Sequence, residues 1–388
     1  MAGAAALLLL LAALAVIPAL QARRLLTEGR GAMEAGREAV LAGDVDQAGE
    51  SFAAAESAFI RARSQATSPM LRVLSYTPIA GRSVDSVRDM SEAGTYLARA
   101  GRVVSTAAGD LPGGISALAP SEGKLALEPL AAAAAPLERA SDLVALARDA
   151  FDRTPDDLLI GPVGAAHDQF DEALREAERV IHPAAALTAA LPEFLGMNGP
   201  RRYFFGAQDP AELRGTGGLI GAYSILTARD GNLRFTPFST IQTVIDPSAE
   251  VEAPNADYAT LYGPFGAPNS WQNLNMTPDG PSAALAIERL YQEVTGRSVD
   301  GVILADPASL EALLEVTGPV RVPLTGDRLS AENAIPYLTN EAFSRFPDSN
   351  VRKRLLGEAA RAVFTRFLSG AARSSPEEAA EALVSAAG

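Results

Sequence analysis

RYFFGAQDPAELRGTGGLIGAYSILTARDGNLRFTPF, residues 202–238, decides the fold class. Arg202–Gln208 and Leu219–Ala228 are rich in β-branched and aromatic residues and read as strands. Asp230-Gly231 is a tight-turn pair, and Leu233–Phe238 is the strand returning from it. Between the first two strands lies QDPAELRGTGGLIG (208–221), where Arg214 leads into Gly215, Gly217 and Gly218. Those glycines accept positive φ and let another group come close to the backbone. An arginine fork beside bare N–H groups suits a planar or phosphate-like anion. A strained turn between strands, with a surface arginine, fits the same spacing.

Downstream, Pro281–Val294 has the pattern of a helix and Val299–Ala305 that of a short apolar strand. Asp306-Pro307 then supplies an N-cap and an N1 proline for a helix through Val316. Arg321–Leu324 reads as a further strand, with helices near 330–343 and 350–368. Ser375-Pro376-Glu377-Glu378 opens another helix. Hairpins mixed with β-α-β units predict a mixed-sheet α/β domain over 200–388.

Upstream the chain changes character. Residues 1–200 hold 7 of the 23 aromatic residues and are Ala-rich, so they read as helices. Val45, Ala48, Phe52, Ala55, Phe59 and Ala62 alternate three- and four-residue steps. Val87, Met90, Gly94, Leu97, Gly101 and Val104 repeat this, as do Leu137–Phe151 and Phe170–Ile181. Gly43 and Asp44 mark the end of a helix from about residue 27 and the start of the next. The seams predict an antiparallel bundle of long helices over 25–195, so the whole chain is α+β. No 34-residue repeat supports a tetratricopeptide reading of GDVDQAGESFAAAE.

Met1 to Ala22 carries no charged side chain and is long enough to span a bilayer. A cleavable signal peptide is the alternative, but the basic n-region and a small-x-small site are missing. Arg23 and Arg24 argue for the opposite orientation. The expectation is nevertheless a single-pass anchor over 1–22 in the cell membrane, with residues 25 onward outside the cytoplasm.

Composition narrows the chemistry. A net charge of −14 opposes nucleic-acid binding, which needs clustered Lys and Arg. No cysteine is present, which removes thiolate catalysis and zinc–thiolate sites, and two histidines make a His-based metal site or triad a poor fit. Gly215-x-Gly217-x-x-x-Gly221 is not a dinucleotide fingerprint and no P-loop occurs, so no cofactor is expected. The second polar loop, NLNMTPDGP (273–281), is stiffened by proline. Asn273, Asn275 and Asp279 there suit a sugar, or offer oxygens to Mg²⁺, or bond their own backbone as Asx turns. Of the other acidic candidates, Asp306 reads as an N-cap and Asp300 as a turn residue, beside Glu212 and Asp246. His167 lies on a helical seam and reads as structural, while His182 reads as ending a helix before Pro183.

QDPAELRGTGGLIG, NLNMTPDGPSAA (273–284), VDGVILADPASLEALLEVTGPV (299–320) and LSAENAIPYL (329–338) occur in an order that resembles the bacterial membrane-anchored domain-of-unknown-function 4012 family. LSYTPIAGRS (74–83) is similar to its N-terminal part. The resemblance implies an anchored helical stalk carrying the α/β domain, basic residues ahead of the first helix, and a chain continuing past residue 388. It implies no activity. More distantly, the blocks resemble the LytR-CpsA-Psr glycopolymer transferases, which act on polyprenyl-pyrophosphate lipids. Arg214 and Asn275 would stand for that family's first arginine and loop asparagine. Thr216 replaces its first aspartate and FSTIQTVID (238–246) lacks its second Arg-Asp, which weakens Mg²⁺-assisted transfer. The expected ligand site is therefore Arg214, Gly215, Gly217, Gly218, Asn273, Asn275 and Asp279. The expected role is an envelope protein binding or processing a glycan or lipid-linked phosphate, with the membrane, a cell-wall glycopolymer or a polyprenyl-phosphate lipid as partner. The alternative is a non-catalytic envelope scaffold.

Overall fold

The computed structural model describes residues 2–69, 71, 78–111, 124, 126–154, 157, 159 and 161–368. The helix expected from Ser375 lies outside them, as do residues 74–77 of the LSYTPIAGRS block. The chain divides into two compact units, Met1–Leu118 with Glu128–Ala190, and Ala119–Leu127 with Leu191–Gly388.

The first unit is helical: α1 (Ala2–Ala42), α2 (Val45–Ala66), α3 (Pro78–Asp110), α4 (Leu127–Phe151) and α5 (Gly161–Phe194). The turn after α1 is made by Gly43 at φ +76°, with the Asp44 N–H donating to Ala39 O at 2.9 Å. Asp44 then caps α2 by accepting from the Gln47 N–H. Two rings of α2 key into glycines on both neighbours. A Cβ on Gly29 of α1 or Gly94 of α3 would stand within 2.9 Å of the Phe59 ring. Gly36 and Gly101 make the same notch for Phe52. Further along, Met90, Leu97, Val144, Phe151 and Leu174 form the α3–α4–α5 core.

The transmembrane expectation is corrected here. Among the described residues no helix is long and apolar enough to cross a membrane, which overturns the anchor over 1–22 and the single-pass localisation drawn from it. No new helix starts near residue 27 either. Ala2–Ala42 is one continuous helix, and its C-terminal half carries Arg30, Glu34 and Arg37 and seats Phe59 and Phe52 at Gly29 and Gly36. The apolar run is thus the first part of a helix whose other part is charged and packed on α2.

Ion pairs lace the unit. Arg148 donates to both oxygens of Glu178 (2.8 and 2.9 Å) and to Asp171 (2.9 Å), and Glu56 holds Arg99 and Arg102. His167 stacks on Phe151 with centroids 4.6 Å apart, a packed structural histidine. His182 does not end a helix. α5 runs on through Pro183 to Phe194, and the His182 ring bonds Ser141 Oγ at 2.7 Å.

The second unit is built on one sheet: β1 (Arg201–Asp209), β2 (Leu219–Arg229), β3 (Asn232–Phe235), β4 (Ser239–Thr240) and β5 (Gly301–Ala305), with α6 (Ala256–Tyr262) and α7 (Gly280–Thr295) between β4 and β5. The order is β3-β2-β1-β5, with β4 also on β2. β1 pairs antiparallel with β2 and parallel with β5. Asp230 (φ 50°) and Gly231 (φ 78°) form the expected tight turn between β2 and β3. α8 (Pro307–Thr317) and α9 (Ser349–Leu368) follow β5. Between them are a two-residue pairing, Val320–Arg321 with Arg328–Leu329, in place of the longer strand expected at 321–324, and short helical turns over 334–345.

Alternation along β1 serves two cores. Phe204 faces α7, Trp271 and Tyr258, whereas Phe205 faces α8 and α9. On β2 the register slips, with Ala207 opposite Ala222 but Gln208 opposite Ile220, so Gly221 is an extra, bulged residue. The bulge returns Ile220 to the α7 face and leaves Ala222 on the α8–α9 face.

Candidate functional site

The C-terminal end of β1, the glycine loop and the loop before α7 meet at one place. Gly217 takes φ +121°, and its N–H donates to Arg214 O at 3.1 Å. Gly215 lies against the second loop, since a Cβ there would be 2.3 Å from Met276 O. Gly218 lies against β1, where a Cβ would be 2.3 Å from Asp209 O. These two glycines are required by backbone-on-backbone packing.

Two buried amides pin the loop. Asn275, fully buried, donates through Nδ2 to Gly218 O (2.8 Å) and Thr216 Oγ1 (3.0 Å). From β1, Gln208 Nε2 donates to the same two acceptors at 3.2 Å. Asn275 Oδ1 is buried without a hydrogen-bond partner among the described residues. Turning the amide over would set that oxygen against the Gly218 carbonyl, so the orientation follows from the network. Tyr258 donates to Leu274 O at 2.6 Å, and burial pushes its phenol up to about 12, keeping it a donor. The Trp271 indole N–H is bound to Val244 O.

Arg214 is part-exposed. Its Nε donates to Gln272 O at 2.7 Å and its Nη1 to Leu213 O at 2.8 Å. Two carbonyls therefore fix the guanidinium, and no carboxylate pairs with it among the described residues. Asn273 Nδ2 donates to Phe265 O. Asp279 caps α7, accepting from the Ser282 N–H at 2.9 Å, and this contact with Ser282 holds its carboxyl below the usual range. The structure thus joins Arg214, the glycines and Asn275 through loop-to-loop bonds, ties Asn273 instead to Phe265, and commits Asp279 to a helix end.

On the other face, Asp209 accepts from the Ala211 N–H, and burial raises its carboxyl, with Glu212 adding to the effect and Arg352 and Lys353 opposing it. The Lys353 stem lies over the bulge, 3.1 Å from a Cβ on Gly221. Of the remaining acids, Asp306 caps α8, Asp300 binds the Arg202 N–H and Arg201, and Asp246 closes a turn on Ser248. The oxygens considered for Mg²⁺ do not converge as a ligand set: Asp279 serves a helix cap and Asn275 Oδ1 is enclosed. No group of three or more His, Asp and Glu side chains among the described residues is placed to hold a metal.

Gln208 and Thr216 were missed as site residues. Their signal was a long amide at the end of an apolar strand and a hydroxyl inside the glycine run, both short of any spacing rule that names Asn275 as partner.

No curated protein and no solved structure matches the chain. The more distant LytR-CpsA-Psr resemblance therefore finds no support. Residues 198–343 match the family model described as Protein of unknown function (DUF4012).

Proposed function

We propose that the second unit binds a phosphate-bearing ligand, glycan- or lipid-linked, at Arg214. The observation that carries the reading is a charge that is oriented but not neutralised. Two carbonyls hold the guanidinium in place and, among the described residues, leave Nη2 free to donate. The fully buried Asn275, with Gln208, keeps the loop beneath it in one conformation. Such preorganisation lowers the ordering cost of binding.

A charge-assisted hydrogen bond contributes about 1.5–3 kcal/mol, so Arg214→Ala weakens binding about tenfold or more. The test titrates a polyprenyl phosphate in detergent, and separately a phosphate-bearing wall glycopolymer, into the wild type and the variant, with melting temperatures alongside. A large drop in melting temperature with unchanged binding assigns Arg214 to the structure alone and ends the proposal.

One observation favours a second reading, a non-catalytic interaction module. Leu213 is 78% exposed beside Arg214, and Phe265, whose carbonyl accepts from Asn273, is 58% exposed. A protein partner covering these two side chains would bind as tightly to Arg214→Ala as to the wild type, and Leu213→Ser would weaken it.

A further inference from the structure

The clamp beneath the glycine loop uses every amide proton it has. Asn275 Nδ2 donates to Gly218 O (2.8 Å) and Thr216 Oγ1 (3.0 Å), and Gln208 Nε2 donates to the same oxygens at 3.2 Å. Both lone pairs of the Gly218 carbonyl are thereby filled, and so are both lone pairs of the Thr216 hydroxyl. Turning either amide over would set its oxygen against the Gly218 carbonyl, so both orientations follow from the network. A hydroxyl whose lone pairs are filled can only donate. Thr216 O–H is therefore a committed donor, and among the described residues no acceptor meets it.

Thr216 shares a tight turn with Arg214. The Gly217 N–H closes that turn on Arg214 O at 3.1 Å. Both residues are tied to the loop before α7, Arg214 through Gln272 O and Thr216 through Asn275. Both are also part-exposed, and Gly215 between them has no side chain. Glu212, the acid of the loop, stands by Asp209 on the other face. The turn thus carries an oriented cation and an oriented hydroxyl proton on neighbouring positions.

We infer that Thr216 is a ligand-contacting residue: its hydroxyl donates to an oxygen of the phosphate that Arg214 attracts, and selects phosphate over a sugar hydroxyl or a carboxylate. This role rests on the phosphate reading of Arg214 and adds the group that discriminates. A sugar hydroxyl brings a proton of its own, for which neither side chain offers an acceptor. A flat carboxylate is best gripped side-on by Nε and Nη2 together, and Nε is already spent on Gln272 O. Single bonds from two residues suit a tetrahedral group with several acceptor oxygens.

The test titrates glucose 1-phosphate, and separately a polyprenyl phosphate in detergent, into the full chain, with glucose, glucuronate and the polyprenol as counterparts. The wild type should prefer a phosphate to its counterparts, and the tighter of the two phosphates tells a glycan source from a lipid one. Thr216→Val should weaken phosphate binding about tenfold or more and lower the preference over glucuronate, and Thr216→Ser should restore both. If Thr216→Val binds phosphate as the wild type does while Arg214→Ala does not, Thr216 has no such role and the Arg214 reading stands. Equal losses for phosphate and glucuronate make Thr216 a support of the loop alone and overturn the proposal, as does a counterpart bound as tightly as its phosphate. A wild type that binds neither phosphate ends both readings. Should Thr216→Val fail to fold, a crystal structure of the wild type with the bound phosphate decides. A phosphoryl oxygen within about 3 Å of Thr216 Oγ1 supports the role, and a phosphate held by Arg214 without Thr216 overturns it.

Discussion

Arg148 in the helical unit and Arg214 in the α/β unit are both part-buried arginines held by hydrogen bonds, and they differ in what holds them. Glu178 and Asp171 surround Arg148, and it raises no demand on any outside group. Among the described residues carbonyls alone hold Arg214, so its position is fixed and its charge remains. Glu56 is likewise matched by Arg99 and Arg102. Charges that close on one another report on stability. An oriented charge that stays open reports on binding.

The largest expected effect tests how the helical unit is held. Phe52→Ala empties a notch shared by Gly36 and Gly101 and should cost about 3–5 kcal/mol by chemical denaturation. Gly101→Ala, which drives a methyl into the Phe52 ring, should cost about 1–3 kcal/mol. A cost below about 0.5 kcal/mol for either would mean that these rings do not organise the bundle.

The next pair addresses the comparison itself. Arg148→Ala leaves Glu178 and Asp171 facing each other and should destabilise by about 2–3 kcal/mol. The Glu178 carboxyl is held below its usual range, first by its hydrogen bond to Arg148. Its contribution is therefore complete above the ordinary glutamate range, about pH 4.3, and is lost as pH falls through the lowered folded value. Arg214→Ala should change stability by less than about 1 kcal/mol, since water can serve the two carbonyls it leaves. If the two arginines cost the same, the distinction between closed and open charges collapses.

The smallest effect has the opposite sign. Burial raises the Asp209 carboxyl, so its ionised form weakens the folded state at neutral pH. Stabilisation from this group is present below the unfolded value and is lost as pH rises through the raised one. Asp209→Asn should raise the melting temperature slightly at pH 7 and leave it unchanged well below pH 4. An unchanged or lower value at pH 7 would show that Arg352 and Lys353 outweigh burial.

What could be read in advance followed from local rules. The seams through Phe52, Phe59, Met90 and Leu97 are periodic, and the Asp230-Gly231 turn and the Asp306-Pro307 cap are fixed within a few residues. Three kinds of feature escaped. Charge at Arg23 and Arg24 suggested a boundary that helical hydrogen bonding simply runs through, because Arg is a good helix former. Pro183 did not stop α5, as packing along the helix outweighs one lost N–H. The clamp joining Gln208, Thr216, Gly218 and Asn275 brings together groups up to 67 residues apart. No periodicity relates such groups; the packing of the loop before α7 against the glycine loop brings them within bonding distance.

Phe52 and Phe59 stand seven residues apart, as do Gly29 and Gly36 on one neighbour and Gly94 and Gly101 on the other. Such an arrangement works as a two-toothed rack. Sliding α2 by two turns keeps one ring seated and throws the other out of its seat, so intermediate positions satisfy neither neighbour. One residue inserted between the rings would swing the second by about 100°, and about seven residues is the shortest insertion that brings it back to within about 20° of its heading, shifted about 10.5 Å along the axis. Length can therefore drift in the connections between these helices, but the interval between the teeth has to be inherited together on all three.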